Sequence, residues 1–440
     1  MRDFLKVVED ELVTVRRELS PEYEVPAVLQ GLNRPVLFER VEGYRASLIG
    51  NLCARREYLV RALGVDSWDD VLHRLARAMD RPERPGRDPS PAFTETEHGP
   101  GFLDEELPMC RFYRTDGGPY LTTSLIIARE PEEGTPNASV HRMMYLGDGR
   151  FAVRIVPRHL YRYYERSGRD LPVAVCLGVD PRTMFACCAR VPYDVDELAV
   201  AAAFWDGFRV HLVDHDLPVP AESEVVLVGR LVDERAPEGP FVDVTRTLDE
   251  RRREPVLVVE KVYAREDFTP TVILPGGEEH RIMMGGPAEA TILAHVSRVC
   301  DVRKVRLTPG GGRWLHAVVS IRKRTEGEAV NAGLAALAAH PSLKHVVVVD
   351  EDIDPDDPEQ VEYALATRFQ ADRDLHVVRG LGSTLDPSSE DGVMAKAVLD
   401  ATAPLDERDR FEVVRVPTTD RVRELLREVK GEGGHRRSTM

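Results

Sequence analysis

A chain of 440 residues, 42% of them hydrophobic, is long enough to bury two or three separate cores. No run approaches the roughly 20 apolar residues of a membrane helix, and the opening segment MRDFLKVVEDELV carries acids where a secretory signal keeps an apolar stretch, so the sequence predicts a cytoplasmic protein with no membrane partner. The net charge of −16, from 59 Lys and Arg against 75 Asp and Glu, argues against a nucleic-acid partner, because such binding rests on neutralised phosphates; a small anion held by local cations or a metal remains compatible.

The segment 1–104 is expected to be an N-terminal α/β domain with its linker. DFLKVVEDELVTVRREL has helical spacing, PVLFERV reads as a strand, and REYLVRALG again carries apolar residues at helical intervals. The stretch from Arg81 to Pro100 is crowded with Pro, Gly and charge and reads as a connection. From 105 to 300 short β-rich runs dominate (YLTTSLIIA, FAVRIVP, PVAVCLGV, SEVVLVGRLV, PVLVVEKVYA), interrupted by one helical stretch, DELAVAAAFWDGF, which suggests a barrel or sandwich. Residues 301–440 return to α/β alternation: LHAVVSI and HVVVVDEDI as strands, GEAVNAGLAALAAH and QVEYALATRF as helices, and DRVRELLREV as an amphipathic stretch before KGEGGHRRSTM, whose composition reads as a disordered tail. Six cysteines, at 53, 110, 176, 187, 188 and 300, form no CxxC pair, so neither a disulfide framework nor a structural zinc is indicated. Asn and Gln are scarce beside 30% charged residues, a bias found in proteins that work hot.

Several residue groups are candidates for chemistry. LPGGEEH (274–280) and TPGGGRW (308–314) lack the spacing of phosphate-binding loops and read as turns, and VVVVDEDIDPDD lacks the Gly and final Glu of a calcium loop and reads as a solvated carboxylate cluster. Asn137, His159 and Glu197 are individually ordinary; together, an amide oxygen, an imidazole and a carboxylate make a mixed set able to hold a hard-to-borderline divalent ion. PEGPFVDV places Glu238 and Asp243 five residues apart in a Pro/Gly-restrained segment. Two carboxyls beside an arginine such as Arg142 are the parts of an acid–base device, although spacing alone reads first as a charged hairpin.

At these residues the sequence resembles the UbiD family of prenylated-flavin decarboxylases. The resemblance is carried, in order, by RPVLFERVEGYRASLIGNLCARREYLVRALGV, by NASVHRMMYLGDGRFAVRIVPRHLYRYYERSGRDLPVAVCLGVDP, by VPAESEVVLVGRLVDERAPEGPFVDV, by KHVVVVDEDIDPDDPEQVEYALATRF and by MAKAVLDAT. It implies an α+β, α/β multidomain fold with a central split β-barrel that binds flavin. It further implies Asn137, His159 and Glu197 as ligands of Mn²⁺ or another divalent metal that bridges to the phosphate of prenylated FMN, with K⁺ as a further ion. Val140, His141, Arg142, Arg154, Ile155, Val156, His159 and Leu160 match the cofactor-lining runs, and Lys396 is a candidate phosphate partner. Arg142, Glu238 and Asp243 match the catalytic network, with Asp243 as proton donor. Val242 stands where the family keeps a small residue, and Cys187 and Cys188 stand where relatives carry small hydroxyl residues.

The activity so implied is non-oxidative removal of CO₂ from an α,β-unsaturated acid. The short chain and the segment LPGGEEHRIMMG resemble relatives acting on trans-anhydromevalonate 5-phosphate, giving isopentenyl phosphate for isoprenoid synthesis. The alternatives are a 4-hydroxybenzoate-type aromatic acid or a flavin-binding protein without activity. A flavin prenyltransferase is the implied cofactor supplier, and a homodimer or higher homo-oligomer paired through DRVRELLREV the implied assembly.

Overall fold

Six antiparallel strands of the central region close on themselves. In the computed structural model, which describes residues 1–96, 99–382, 385–414 and 416–433, these are β1 (Tyr120–Arg129), β2 (Pro136–Gly147), β3 (Arg150–Val153), β4 (Leu171–Leu177), β5 (Val225–Glu238) and β6 (Arg252–Ala264). They are ordered β5–β4–β1–β2–β3–β6, and pairing of β5 with β6 from Val225↔Ala264 to Glu238↔Arg252 closes the barrel. Closure leaves no long unpaired edge, and alternate side chains fill the interior with Ile126, Phe151, Val173, Leu227 and Leu257. The expected central barrel is therefore present.

Helices interrupt this region more often than the sequence predicts. Besides α3 (Glu197–Phe204), which lies in the expected stretch, there are α1 (His159–Arg166) and α2 (Pro181–Cys187). Helix α1, HLYRYYER, is rich in aromatic residues that favour strands, yet it buries Leu160, Tyr163 and Tyr164 at helical spacing, and that burial outweighs propensity. Within the proline-rich stretch, Gly86–Arg87 and Thr94–Glu95 form two short strands, the latter pairing with β6.

Before the barrel lies a four-stranded sheet of Val13–Val15, Val36–Phe38, Leu48–Gly50 and Thr271–Val272. The expected N-terminal helix is shorter than its apolar spacing suggests. It covers Arg2–Val7, and the β-branched run Val13–Val15 pairs in parallel with Val36–Phe38 instead of continuing the helix. Following Thr271–Val272, Gly276 (φ 66°) makes the turn and Gly277 caps α4 (Glu278–Val296), so the first glycine-rich segment is the entry to a 19-residue helix.

The C-terminal sheet has the order β7 (Val302–Leu307), β8 (His316–Ile321), β9 (His345–Asp350), β11 (Val393–Ala401), β10 (Leu375–Gly382). Strand β9, the VVVV run, pairs in parallel with both β8 and β11, and Val346 to Val349 are all buried, as a strand covered on both faces requires. The acids after β9 meet cations: Asp350 and Asp352 pair with Arg368, and Asp354 and Asp356 with Lys304.

Residues 1–402 form one compact unit and 403–440 a second. The second contains α5 (Asp420–Gly433), which includes the start of the segment read as a tail; the rest of that segment lies outside the described residues. No helix among the described residues is long and apolar enough to cross a membrane.

Candidate active site

Strand β2 organises the site. Asn137 and Arg142 stand five residues apart on it, roughly 17 Å at the rise of an extended strand. Opposite Arg142 the β1–β2 register slips: Leu121 pairs with Met143 and Ser124 with His141, so Thr122 and Thr123 together face Arg142. The bulge lies on β1, and on β2 Ser139, Val140, His141 and Arg142 all line one cavity of about 350 Å³. That volume lies within the range of small-molecule sites.

At one end of the cavity, three carboxylates surround one guanidinium. Arg142 donates from Nε to Glu238 Oε1 (2.9 Å), from Nη2 to Glu238 Oε2 (3.0 Å) and Asp249 Oδ2 (2.7 Å), and from Nη1 to Asp243 Oδ2 (3.0 Å). Glu238 ends β5; a cis Gly239–Pro240 bond follows, and Phe241–Val242 pairs with Leu248–Asp249, so a short hairpin brings Asp243 and Asp249 back to the arginine. Phe241 covers the guanidinium, its ring centroid 4.4 Å from Arg142 Cζ. Glu238 is fully buried, also accepts the Tyr120 hydroxyl (3.1 Å) and does not line the cavity, whereas Asp243 and Asp249 do. Burial pushes the Asp249 carboxyl up, but Arg142 and Arg252 hold it below the usual range. His280, on the first turn of α4, also lines the cavity. Its Nδ1 accepts the Gly276 N–H (3.0 Å), and burial, opposed by the charge of Asp243, keeps its pKa below normal.

Where β2 begins, Asn137, His159 and Glu197 converge. Glu197, buried at the first turn of α3, accepts Asn137 Nδ2 at 2.9 and 3.0 Å and the Ala138 N–H at 2.9 Å, with His159 Nδ1 3.5 Å away. No Lys or Arg among the described residues pairs with this carboxylate. A buried, uncompensated carboxylate beside an imidazole and an amide, which can turn its oxygen inward, fits a divalent cation.

The remaining expected residues fall as follows. Arg154, Val156 and Leu160 line the cavity, Arg154 paired with Glu254 at 2.7 Å, while Ile155 is packed into the barrel core. Cys187 and Cys188 line it as protonated thiols, burial pushing Cys188 up to about 12. Val242 pairs with Leu248 away from the cavity lining. Lys396 is buried on β11 and donates to the Pro341 carbonyl, also outside the lining. Sequence reading passed over Arg158, Arg190, Asp249, His280 and Trp314, all on the cavity wall.

Family models for three consecutive domains match this chain: the 3-octaprenyl-4-hydroxybenzoate carboxy-lyase (UbiD) N-terminal domain over residues 7–79, its Rift-related domain over 88–278 and its C-terminal domain over 281–401. An anhydromevalonate phosphate decarboxylase of Methanothermobacter thermautotrophicus is 44% identical over 428 residues, covering 94% of this chain and 99% of the relative. The UbiD-class enzyme HmfF of Pelotomaculum thermopropionicum, solved with FMN, has a TM-score of 0.89 at 36% identity, covering 96% of this chain and 98% of that one. An evolved dimeric form of HmfF, solved with prFMN, has a TM-score of 0.87 at 34% identity over 96% and 97% of the two chains. With all three domain models matched in order and close relatives aligned along nearly the full length, this chain belongs to the UbiD family of carboxy-lyases.

Proposed function

We propose that this protein uses prenylated FMN and a divalent metal to decarboxylate trans-anhydromevalonate 5-phosphate, releasing CO₂ and isopentenyl phosphate. The observation that carries the reading is one cavity joining the Arg142–Glu238–Asp243 network to the Asn137–His159–Glu197 group. The choice of acid rests on the anhydromevalonate phosphate decarboxylase relative, and that of cofactor on HmfF.

Asn137, His159 and Glu197 would hold the metal, Mn²⁺ in the first instance, and through it a flavin phosphate. Val140, His141, Arg154 and Val156 would line the flavin. Prenylated FMN, when bound, supplies the electron sink for the pair released with CO₂. Arg142 has five N–H groups, of which four meet Glu238, Asp243 and Asp249, leaving one on Nη1 for the substrate carboxylate. Glu238, out of the cavity, acts through Arg142 as a positioning residue. Asp243 holds the proton that replaces CO₂ on carbon and recovers it from solvent after release. Phe241, Ile273, Met283 and Met284 present an apolar wall that keeps water from the reacting carbon.

We place the reaction in the cytoplasm, on the strength of six free cysteines, and assign assembly as a homo-oligomer, as the dimeric form of HmfF encourages. The test is co-production with a flavin prenyltransferase followed by CO₂ release from a panel of unsaturated acids. The phosphorylated branched six-carbon acid should turn over, and 4-hydroxybenzoate should not; preference for the aromatic acid would overturn the substrate assignment.

A further inference from the structure

A group of cations at the cavity lacks counter-ions. Arg158, exposed on the wall just before His159, and Arg190, half-buried a few residues after Cys188, both line the cavity. Neither side chain has a carboxylate within 4 Å or a hydrogen bond among the described residues, whereas Arg142, Arg154, Arg182 and Arg306 are each paired. Lys396 is buried, with the Pro341 carbonyl as its hydrogen-bond acceptor and, among the described residues, no acid paired with it. These charges are close enough to oppose one another: besides burial, Arg158 lowers the pKa of Arg190, which falls to about 10, and Arg190 lowers that of Lys396. His340, pushed down to about 3 by burial and by Arg190, is neutral and meets the Trp314 carbonyl at 3.2 Å. Trp314 is buried on the cavity wall, and its indole N–H has no acceptor among the described residues.

Arg158, Arg190 and the Trp314 indole are donors without an acceptor among the described residues, in a protein of net charge −16. A buried orphan N–H and a buried ammonium with no counter-charge are costly, and a bound anion relieves both. The flavin phosphate does not exhaust them. A divalent metal and a phosphate dianion cancel, Glu197 offsets one of the three cations, and two positive charges remain, the charge complement of one further phosphate monoester. The other nearby arginines are already engaged: Arg246 donates to Gly276, Arg281 to Val244 and Arg313 to Glu278, and none of them lines the cavity.

We propose that Arg158 and Arg190, with the Trp314 indole N–H and the charge of Lys396 behind them, form the seat for the substrate's phosphate monoester and so select a phosphorylated acid. This rests on the substrate reading above and assigns its specificity to named residues. The test is equilibrium binding, by calorimetry, of two saturated analogues to FMN-loaded protein: a six-carbon carboxylic acid carrying a phosphate monoester, and the same acid with a free hydroxyl. The parent should prefer the phosphorylated analogue by ~10- to 100-fold, and inorganic phosphate should compete with it. In Arg158→Gln and Arg190→Gln the preference should shrink toward unity, with affinity for the hydroxy acid and flavin occupancy held; Arg190→Lys should restore part of it. An unchanged preference in both variants, loss of flavin from them, or failure of inorganic phosphate to compete in the parent would each overturn the seat. If the parent binds the phosphorylated analogue selectively yet does not decarboxylate the unsaturated acid, the substrate reading fails and the seat stands; turnover with unchanged selectivity in the variants gives the converse.

Discussion

Glu238 clasps Arg142 through both carboxylate oxygens, at 2.9 and 3.0 Å, from a fully buried position behind the cavity wall. The arginine is thereby held in one plane by a group outside the cavity lining, and Asp243, bound to Nη1 of the same guanidinium at 3.0 Å, faces the cavity together with Asp249. A fork-to-fork pair fixes orientation as well as charge. Asp243→Asn preserves size and hydrogen bonding to Arg142 but removes the transferable proton, so product formation should fall by a factor on the order of 10² with flavin and metal content unchanged. Turnover near the parent rate at matched occupancy would move the proton to Glu238 or to water.

The metal group gives a prediction of a different kind. His159→Ala removes the imidazole proposed as a metal ligand beside Glu197, and metal and flavin occupancy should fall together, because the metal is the proposed bridge to the flavin phosphate. Metal content by elemental analysis and flavin absorbance on the same sample decide it. Full flavin retention after metal loss would refute the bridge.

The residues that were legible in sequence are those whose role depends on local pattern. The run Val346–Val349 announced a strand buried on both faces, and Glu238 with Asp243 announced a restrained pair of carboxyls because Gly and Pro lie between them. Arg158 and Arg190 gave no such signal: a lone arginine in a loop looks solvated, and its lack of a counter-ion is a property of the folded surroundings. Asp249 was hidden for a related reason, since only the pairing of Phe241–Val242 with Leu248–Asp249 carries it to Arg142. His280 had one readable clue, its place immediately after the acid pair that opens α4, but its aim into the cavity depends on the turn at Gly276.

Helix α5 carries Val422, Leu425, Leu426 and Val429 at i, i+3, i+4 and i+7, with exposures from 43% to 56%. A stripe at that spacing is suited to a second apolar surface, and pairing with another copy would cover it. Deletion from Asp420 onward should convert the oligomer to monomers in light scattering at micromolar concentration, without loss of the central barrel's circular dichroism. An unchanged mass would assign assembly to another surface.

The contribution of Glu279 to stability should fall as pH rises toward neutrality. This side chain is buried in the first turn of α4; Oε1 accepts the Cys53 N–H at 2.7 Å, and Oε2 has no hydrogen-bond partner among the described residues. Burial pushes its pKa up to about 7 from an ordinary 4.5, against the lowering effect of the backbone N–H groups of Cys53, Asn51 and Leu52. Between those two values the folded chain keeps a proton that the unfolded chain has released. The stabilisation is therefore complete below about 4.5 and is lost as pH climbs through about 7, a span worth on the order of 3 kcal/mol. Asp196, pushed up to about 7 by burial, acts with the same sign in the same window, while His141 and His340, pushed down to about 4 and about 3 mainly by burial, act with the opposite sign, so the comparison of parent with variant is what isolates Glu279. Relative to the parent, Glu279→Gln, neutral at every pH, should gain Tm between pH 5 and pH 8, with the difference growing toward the alkaline end. Parallel Tm curves for the two proteins would mean that Glu279 is already ionised in the fold.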